Sequence, residues 1–210
     1  MHVSNHVDRL RPVFLIVAAG LLATACSSTG SSSPGASAVG STGENPSESP
    51  VPEASGGAIS GDVPDNAVFL TYHGTNPTFS IQHVEGWQVT PQPDGVVIRD
   101  KDSSETVAIV GAQADVAGYV TSTDLPALQA QAGFQLVKRD TVQIGSSTYV
   151  HLVIHATSPP DTVTGKQVPL TVDRYYVPGA AGLAVVSLAT PDGVDNVDAF
   201  LRMITSFAWS

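Results

Sequence analysis

Cysteine is almost absent from this chain, since Cys26 is the only one among 210 residues. A single thiol cannot form an intramolecular disulfide, so the fold must be stable without such a cross-link. Basic residues are also scarce: nine Lys and Arg stand against nineteen Asp and Glu, giving a formal net charge of −10 at pH 7. Such an acidic chain repels phosphate backbones and anionic headgroups, which argues against nucleic-acid binding and against a basic membrane-binding patch.

Long hydrophobic runs are lacking as well. The longest uncharged apolar run covers residues 12–25, about fourteen residues, and follows Arg9 and Arg11. A membrane-spanning helix needs roughly 20 apolar residues, whereas the hydrophobic part of a secretory signal peptide needs about 7 to 15. The run ends in the small residues 23–25 and is followed at once by Cys26. This layout predicts a signal peptide over residues 1–25.

The residues "LATAC" (22–26) resemble the lipobox of bacterial lipoproteins, although Ala23 stands where leucine is commonest. The resemblance implies that the thiol of Cys26 carries a diacylglyceryl group and that Cys26 becomes the N-terminus after cleavage. Two acyl chains are enough for stable attachment to a bilayer. We therefore expect a lipid-anchored protein on the extracytoplasmic face of the cell membrane. The alternatives are a secreted protein with a free thiol and a retained membrane anchor over residues 12–25.

The remaining chain divides into two parts. Residues 26–61 consist mostly of Ser, Gly, Pro, Thr and Ala, with no apolar period. Such a composition cannot form a core and predicts a flexible tether behind the lipidated cysteine. Residues 62–210 are long enough to form one domain with a sizeable core.

Strand patterns dominate this domain. Alternating or β-rich runs separated by Gly, Pro and polar turns predict strands at 67–73, 78–84, 87–91, 95–100, 106–113, 135–157 (two strands), 170–178 and 183–191. One helix is predicted after an N-cap at Asp124, with Pro126 in its first turn. A second, C-terminal helix is predicted from an apolar stripe of Val197, Phe200, Leu201, Ile204 and Phe207. Antiparallel strands with helices packed on one side indicate an α+β sandwich.

Two short phrases add a resemblance to a known family. "FSIQHVEGW" (79–87) is similar to the opening of PsbP-like domains, and "SFAW" (206–209) is similar to their ending. Together with the lipobox, they resemble the actinobacterial LpqN-type lipoproteins over about residues 66–210. The resemblance implies a PsbP-like sandwich that acts as a non-catalytic binding or accessory module of a cell-envelope or transporter complex. It supplies no catalytic residues and no cofactor, and it leaves the membrane-protein or envelope-ligand partner unnamed.

Two residue clusters superficially suggest metal sites. His151 and His155 are four residues apart, a spacing that chelates zinc on a helix. Their surroundings are strongly β, however, and a strand separates such residues by about 13 Å. Asp100, Asp102 and Glu105 resemble part of a calcium loop but lack its glycine and its distant glutamate, so they predict a polar hairpin tip. We therefore expect no metal site.

No G-x-S-x-G, S-x-x-K or phosphate-loop motif occurs in the sequence. A cell-envelope hydrolase with an unmarked active site remains the alternative function. Its most chemically capable residues are His83, His151, Arg174 and Tyr175. A binding module predicts a cleft or sheet face rich in aromatic and apolar side chains. A hydrolase predicts a polar pocket where titratable residues converge, with a histidine next to a hydroxyl group and a carboxylate on its far nitrogen.

Overall fold

The computed structural model describes residues 61–210. Over this range, ten strands form two antiparallel sheets: β1 (Phe69–Thr75), β2 (Thr78–Val84), β3 (Gln88–Gln92), β4 (Gly95–Asp100), β5 (Ser103–Val110), β6 (Gln135–Ile144), β7 (Ser147–Thr157), β8 (Pro169–Gly179), β9 (Gly182–Pro191) and β10 (Ala208–Trp209). The larger sheet has the order β3-β4-β5-β9-β8-β7-β6, and the smaller has the order β1-β2-β10.

Three pairs of consecutive predicted strands, at 95–113, 135–157 and 170–191, form hairpins. β4 pairs with β5, β6 with β7, and β8 with β9, each antiparallel to its neighbour in sequence. The short connections explain this, because two-residue turns hold consecutive strands side by side. In the β6–β7 turn, Gly145 has a φ of +59°, a left-handed conformation that glycine adopts without a steric penalty.

The first helix begins earlier than predicted. A continuous helical segment runs through α1 (Val116–Tyr119), a π-helical turn (Val120–Asp124) and α2 (Leu125–Gln129). Asp115 caps its start by accepting a hydrogen bond from the Gly118 amide at 2.9 Å. The predicted N-cap at Asp124 is therefore wrong: this residue lies inside the helical segment, and its side chain turns toward the large sheet.

The C-terminal helix, α3 (Val197–Ser206), forms as predicted, but its apolar stripe is rotated. It buries Phe200, Met203 and Ile204, while Val197 and Leu201 remain 71% and 54% exposed. Met203 was not part of the predicted stripe. The helix turns this face toward β2 and the large sheet, which fixes its rotation more strongly than the sequence spacing does.

The large sheet has an apolar core on each of its faces. Its inner face packs against the small sheet and α3, and the central residues of this core are Phe79, Ile81, Ile98, Val107, Val186, Leu188, Phe200 and Ile204. Its helical face is covered by the segment that includes α1, the π-helical turn and α2, with Val120, Leu125, Leu128, Leu152, Ile154, Tyr176 and Val185 in the core. The predicted α+β class, an antiparallel sheet with helices packed against it, is confirmed.

The predicted signal peptide (1–25), Cys26 and residues 27–60 of the predicted tether lie outside the described residues. Within residues 61–210, no helix has both the length and the apolar character needed to cross a bilayer.

Candidate functional site

Part of the inner face of the large sheet is left uncovered. Side chains on β4, β5 and β9 are buried there, with Ile98, Val107 and Leu188 no more than 2% exposed. On β6, β7 and β8 several side chains of the same face keep contact with solvent: Asp140 and Asp173 are each 30% exposed, whereas His151 between them is only 6% exposed. We call this surface the open face, and it consists of Lys138, Asp140, His151, Val153, His155, Asp173 and Tyr175.

His151 lies at the centre of the open face and contacts a carboxylate on each side. Its Nδ1 is 3.0 Å from Oδ1 of Asp140 on β6, and its Nε2 is 2.8 Å from Oδ1 of Asp173 on β8. Lys138 contacts the other oxygen of Asp140 at 2.6 Å. The ring of Tyr175 stacks on the imidazole with 4.5 Å between centroids. These contacts fix the polar groups of the face in one arrangement.

The electrostatics follow from these contacts. Burial lowers the pKa of His151, but the hydrogen bonds to Asp173 and Asp140 outweigh it, so the pKa lies above its ordinary 6.5. The hydrogen bond from Lys138 holds the pKa of Asp140 below its usual range. Burial, together with the charges of Asp173 and Asp140, raises the pKa of Tyr175, so its phenol stays protonated. His151 is thus stabilised as an imidazolium.

A second histidine lies on the same strand with different partners. His155 Nδ1 is 3.4 Å from the hydroxyl of Thr171 and 3.6 Å from Oδ1 of Asp192. The Thr171 hydroxyl donates to that same carboxylate oxygen at 2.7 Å. A hydrolytic triad needs the hydroxyl and the carboxylate on opposite ring nitrogens. Here both approach Nδ1, so the triad geometry is not met.

The helical face carries a buried ion pair. Arg174 donates to both oxygens of Asp124 at 2.8 and 2.9 Å, and its Nη1 donates to the Ser187 hydroxyl at 2.6 Å. Tyr176 donates a further short hydrogen bond to Asp124. The π-helical turn positions this carboxylate, and such turns often occur where a side chain has to be re-aimed. Every charged group in the cluster has a partner.

The four residues predicted for an unmarked active site do not meet. His151 and Tyr175 lie together on the open face, whereas Arg174 lies on the helical face. His83 is buried in β2, with its Nδ1 3.0 Å from the Val84 carbonyl. His151 and His155 have separate partners, and residues 61–210 contain no cluster of three or more His, Cys, Asp or Glu side chains that could hold a metal ion.

Two carboxylates at this site were missed by sequence reasoning. Asp140 lies directly opposite His151 across the β6–β7 hairpin. Pairing the residues of the two predicted strands outwards from the turn at Gly145 would have placed Asp140 opposite His151. Asp173 could not be found in this way, because the long connection between β7 and β8 leaves their register undetermined from the sequence.

Glu105 was also misplaced. It was predicted at a polar hairpin tip together with Asp100 and Asp102; the tip does form, but Glu105 lies in β5 between the positions of Ile98 and Leu188. It is fully buried, and neither of its carboxylate oxygens has a hydrogen-bond partner among residues 61–210. Burial raises its pKa from 4.5 to about 8, so the carboxyl group is neutral at pH 7.

No protein-family model matches the chain, and no curated protein matches it either. Its fold is similar to the solution structure of cyanobacterial PsbP (CyanoP) from Synechocystis sp. PCC 6803, with a TM-score of 0.48 and 15% identity over 77% of this chain and 100% of that one. The Ran-binding protein Mog1p of Saccharomyces cerevisiae gives 0.48 and 12%, over 69% and 96%.

LpqN, involved in cell envelope biogenesis of Mycobacterium tuberculosis, gives a TM-score of 0.40 and 16% identity over 69% of this chain and 91% of that one. A PsbP protein and LpqN, the two kinds of protein that the sequence resembles, are thus both among the similar structures. At these identities the likeness concerns the fold alone.

Proposed function

We propose that this protein is a lipoprotein, anchored through Cys26 to the extracytoplasmic face of the cell membrane, whose domain is a non-catalytic binding module of a cell-envelope or transporter complex. The anchor is supported by the lipobox-like residues 22–26 and by the short apolar run before them. The binding role is supported by the open face. LpqN, which is similar in fold, is itself involved in cell envelope biogenesis.

The observation that carries the binding role is the fixed polar pattern on the open face. Asp140, His151 and Asp173 are held in register by three neighbouring strands, next to the ring of Tyr175 and the side chain of Val153. Recognition sites on rigid elements lose little entropy on binding, because their side chains are ordered beforehand. The open face is mainly polar, unlike the aromatic and apolar sheet face predicted for a binding module, but it has the preorganisation expected of a recognition surface.

The charge of this surface defines the partner that fits it. Asp173 uses one oxygen for His151, and Asp192, the residue after β9, uses one for Thr171. Their second oxygens remain acceptors, and the whole chain is strongly acidic. A protein partner that presents Lys or Arg side chains complements this pattern, because opposite surface potentials favour association.

A catalytic role fits this geometry less well. General-base catalysis by histidine needs one ring nitrogen within reach of the proton that it removes. Both nitrogens of His151 already contact carboxylates.

The proximity of Thr171 to His155 is the observation that favours the alternative hydrolase. An esterase or peptidase activity that disappears in both Thr171→Ala and His155→Ala would establish the hydrolase instead.

Photo-crosslinking in intact membranes tests the binding role. A benzophenone amino acid replaces Val153 on the open face, and a control replaces Thr141, an exposed residue whose side chain points to the other side of β6. We expect a discrete adduct at Val153 that is lost in Asp173→Asn and weakened by 0.5 M salt, and no such adduct at Thr141. Equal adducts at both positions, or adducts insensitive to Asp173→Asn, would contradict the proposal.

A further inference from the structure

The contacts of His151 are complete only when its ring is doubly protonated. Both ring nitrogens lie within hydrogen-bond distance of a carboxylate oxygen, at 3.0 Å for Asp140 and 2.8 Å for Asp173. A neutral imidazole has only one N–H group, so its other nitrogen would present a lone pair to a carboxylate. Loss of one proton therefore breaks one of the two links that join β6 and β8 through β7.

When His151 loses a proton, Asp140 and Asp173 are left with different numbers of hydrogen-bond partners. Asp140 keeps a second partner, Lys138, at 2.6 Å. Asp173 receives no other side-chain hydrogen bond within the described residues. The neutral ring is therefore more stable with its proton on Nε2, where it still donates to Asp173. Deprotonation then separates Asp140 from the ring and leaves it with Lys138.

The groups that face His151 come from three strands. On β6 they are Lys138 and Asp140, and on β8 they are Asp173 and Tyr175. On β7 itself, the same face carries Tyr149 and His155. With an imidazolium, the charges of Lys138, Asp140, His151 and Asp173 cancel. With a neutral ring, this group of four has one excess negative charge.

We propose that His151 controls the charge of the open face and so makes its binding of basic partners dependent on pH. This inference rests on the proposed function, because it concerns the same surface. A basic partner binds the open face more tightly once His151 is neutral. The affinity therefore rises with pH, and the transition lies above pH 6.5 because the two carboxylates raise the pKa of His151 despite its burial.

Nitrogen NMR of the imidazole ring tests the first half of the inference without any partner. In the wild-type chain we expect both nitrogens of His151 to be protonated at pH 6.0, followed by conversion to the Nε2–H form at higher pH. His155, whose side chain is 40% exposed, serves as the internal comparison. A neutral His151 ring at pH 6.0 would overturn the inference.

Binding of octalysine tests the second half. Titrations from pH 6.0 to 9.5 at 50 mM salt, followed through the amide resonances of β6–β8, should show roughly fivefold tighter binding at high pH, since one charge near the ligand at the surface contributes about 1 kcal/mol. His151→Gln should remove this dependence, and His73→Gln, at an exposed position of β1 in the small sheet, should keep it. The comparison also separates His151 from Glu105, whose carboxyl group titrates near pH 8 in all these variants.

The outcomes separate the two proposals. If octalysine shifts the resonances of the open face but binds equally at all pH values, His151 is not a switch, while the binding role stands. If octalysine leaves those resonances unchanged throughout, the binding of basic partners fails, and the pH dependence fails with it. The NMR titration of His151 and the octalysine titrations need only the wild-type chain, so a neutral ring at pH 6.0 or a binding constant independent of pH overturns the switch even if His151→Gln does not fold.

Discussion

Arg174 binds the carboxylate of Asp124 through two hydrogen bonds of 2.8 and 2.9 Å, across fifty positions of the chain. Asp124 is 8% exposed, and Tyr176 donates to the same carboxylate. Burial costs both ions their hydration, so the pair is favourable only because nearly every donor and acceptor is satisfied. The ion pair therefore holds the helical segment of residues 116–129 against the large sheet.

Asp124→Ala should therefore be strongly destabilising. The substitution leaves the Arg174 guanidinium partly buried without its counter-ion, and removing one partner of such a pair costs about 3 to 5 kcal/mol. Thr123→Ala, at an exposed neighbouring position, should change the stability by less than about 0.5 kcal/mol. Urea unfolding followed by circular dichroism measures both. Equal, small effects would mean that the ion pair does not hold the helical segment.

The terminal helix offers a second matched pair of substitutions. Phe200 is 5% exposed in the inner core, whereas its neighbour Leu201 is 54% exposed. Phe200→Ala should lower the free energy of unfolding by about 3 to 5 kcal/mol, because it removes a large buried ring and leaves a cavity. Leu201→Ala should cost less than about 1 kcal/mol. Similar losses from both would indicate that α3 is rotated so that Leu201 also contacts the core.

The strands and hairpins were predictable because their signals are local. β2 shows the alternation of Phe79 and Ile81 with polar residues, and the short turns of the large sheet place consecutive strands next to each other. The burial of Met203 rather than Leu201 was not predictable in this way. Both fit a helical period, and only the direction of the approaching sheet decides between them.

The ion pair and the open face depend on information that lies far apart in the sequence. Asp124 precedes Leu125-Pro126, a pattern typical of a helix start, but the helix begins earlier, at the cap formed by Asp115. Its true partner, Arg174, is on the eighth strand. Asp173 likewise reaches His151 only through the register of β7 and β8. Residue propensities and sequence spacing indicate contacts within one helical turn or one hairpin. They do not indicate contacts between residues that are far apart in the sequence, such as Asp124 and Arg174.

Cys26 lies outside the described residues, and its lipidation is tested chemically. Mass spectrometry of the N-terminal peptide of the membrane-extracted protein should show Cys26 as the first residue with a diacylglyceryl group. Cys26→Ala should leave the protein uncleaved or release it from the membrane, because the two acyl chains of the diacylglyceryl group supply the attachment, at about 0.8 kcal/mol for each buried methylene. An unmodified thiol, or an intact Met1, would contradict the anchor.

The raised pKa of Glu105 predicts how the stability of the domain changes with pH. Its carboxyl group titrates at 4.5 in the unfolded chain and near 8 in the folded one, because burial disfavours its charged form. Between these values the folded state keeps a proton that the unfolded state has lost. Stability therefore falls as pH rises from about 4.5 to 8 and is constant outside that interval as far as this group is concerned.

The comparison of wild type with Glu105→Gln isolates this effect, because His151 and all other titrating groups are common to both proteins. Glutamine has nearly the same shape and stays neutral. At pH 4 the two proteins should have similar free energies of unfolding. At pH 7 the variant should be more stable by about 3 kcal/mol, since each pH unit above 4.5 costs the wild type about 1.4 kcal/mol. Urea unfolding at pH 4, 5.5, 7 and 8 measures the difference. Stability curves that remain parallel from pH 4 to 8 would show that the Glu105 carboxylate has access to solvent or to a partner.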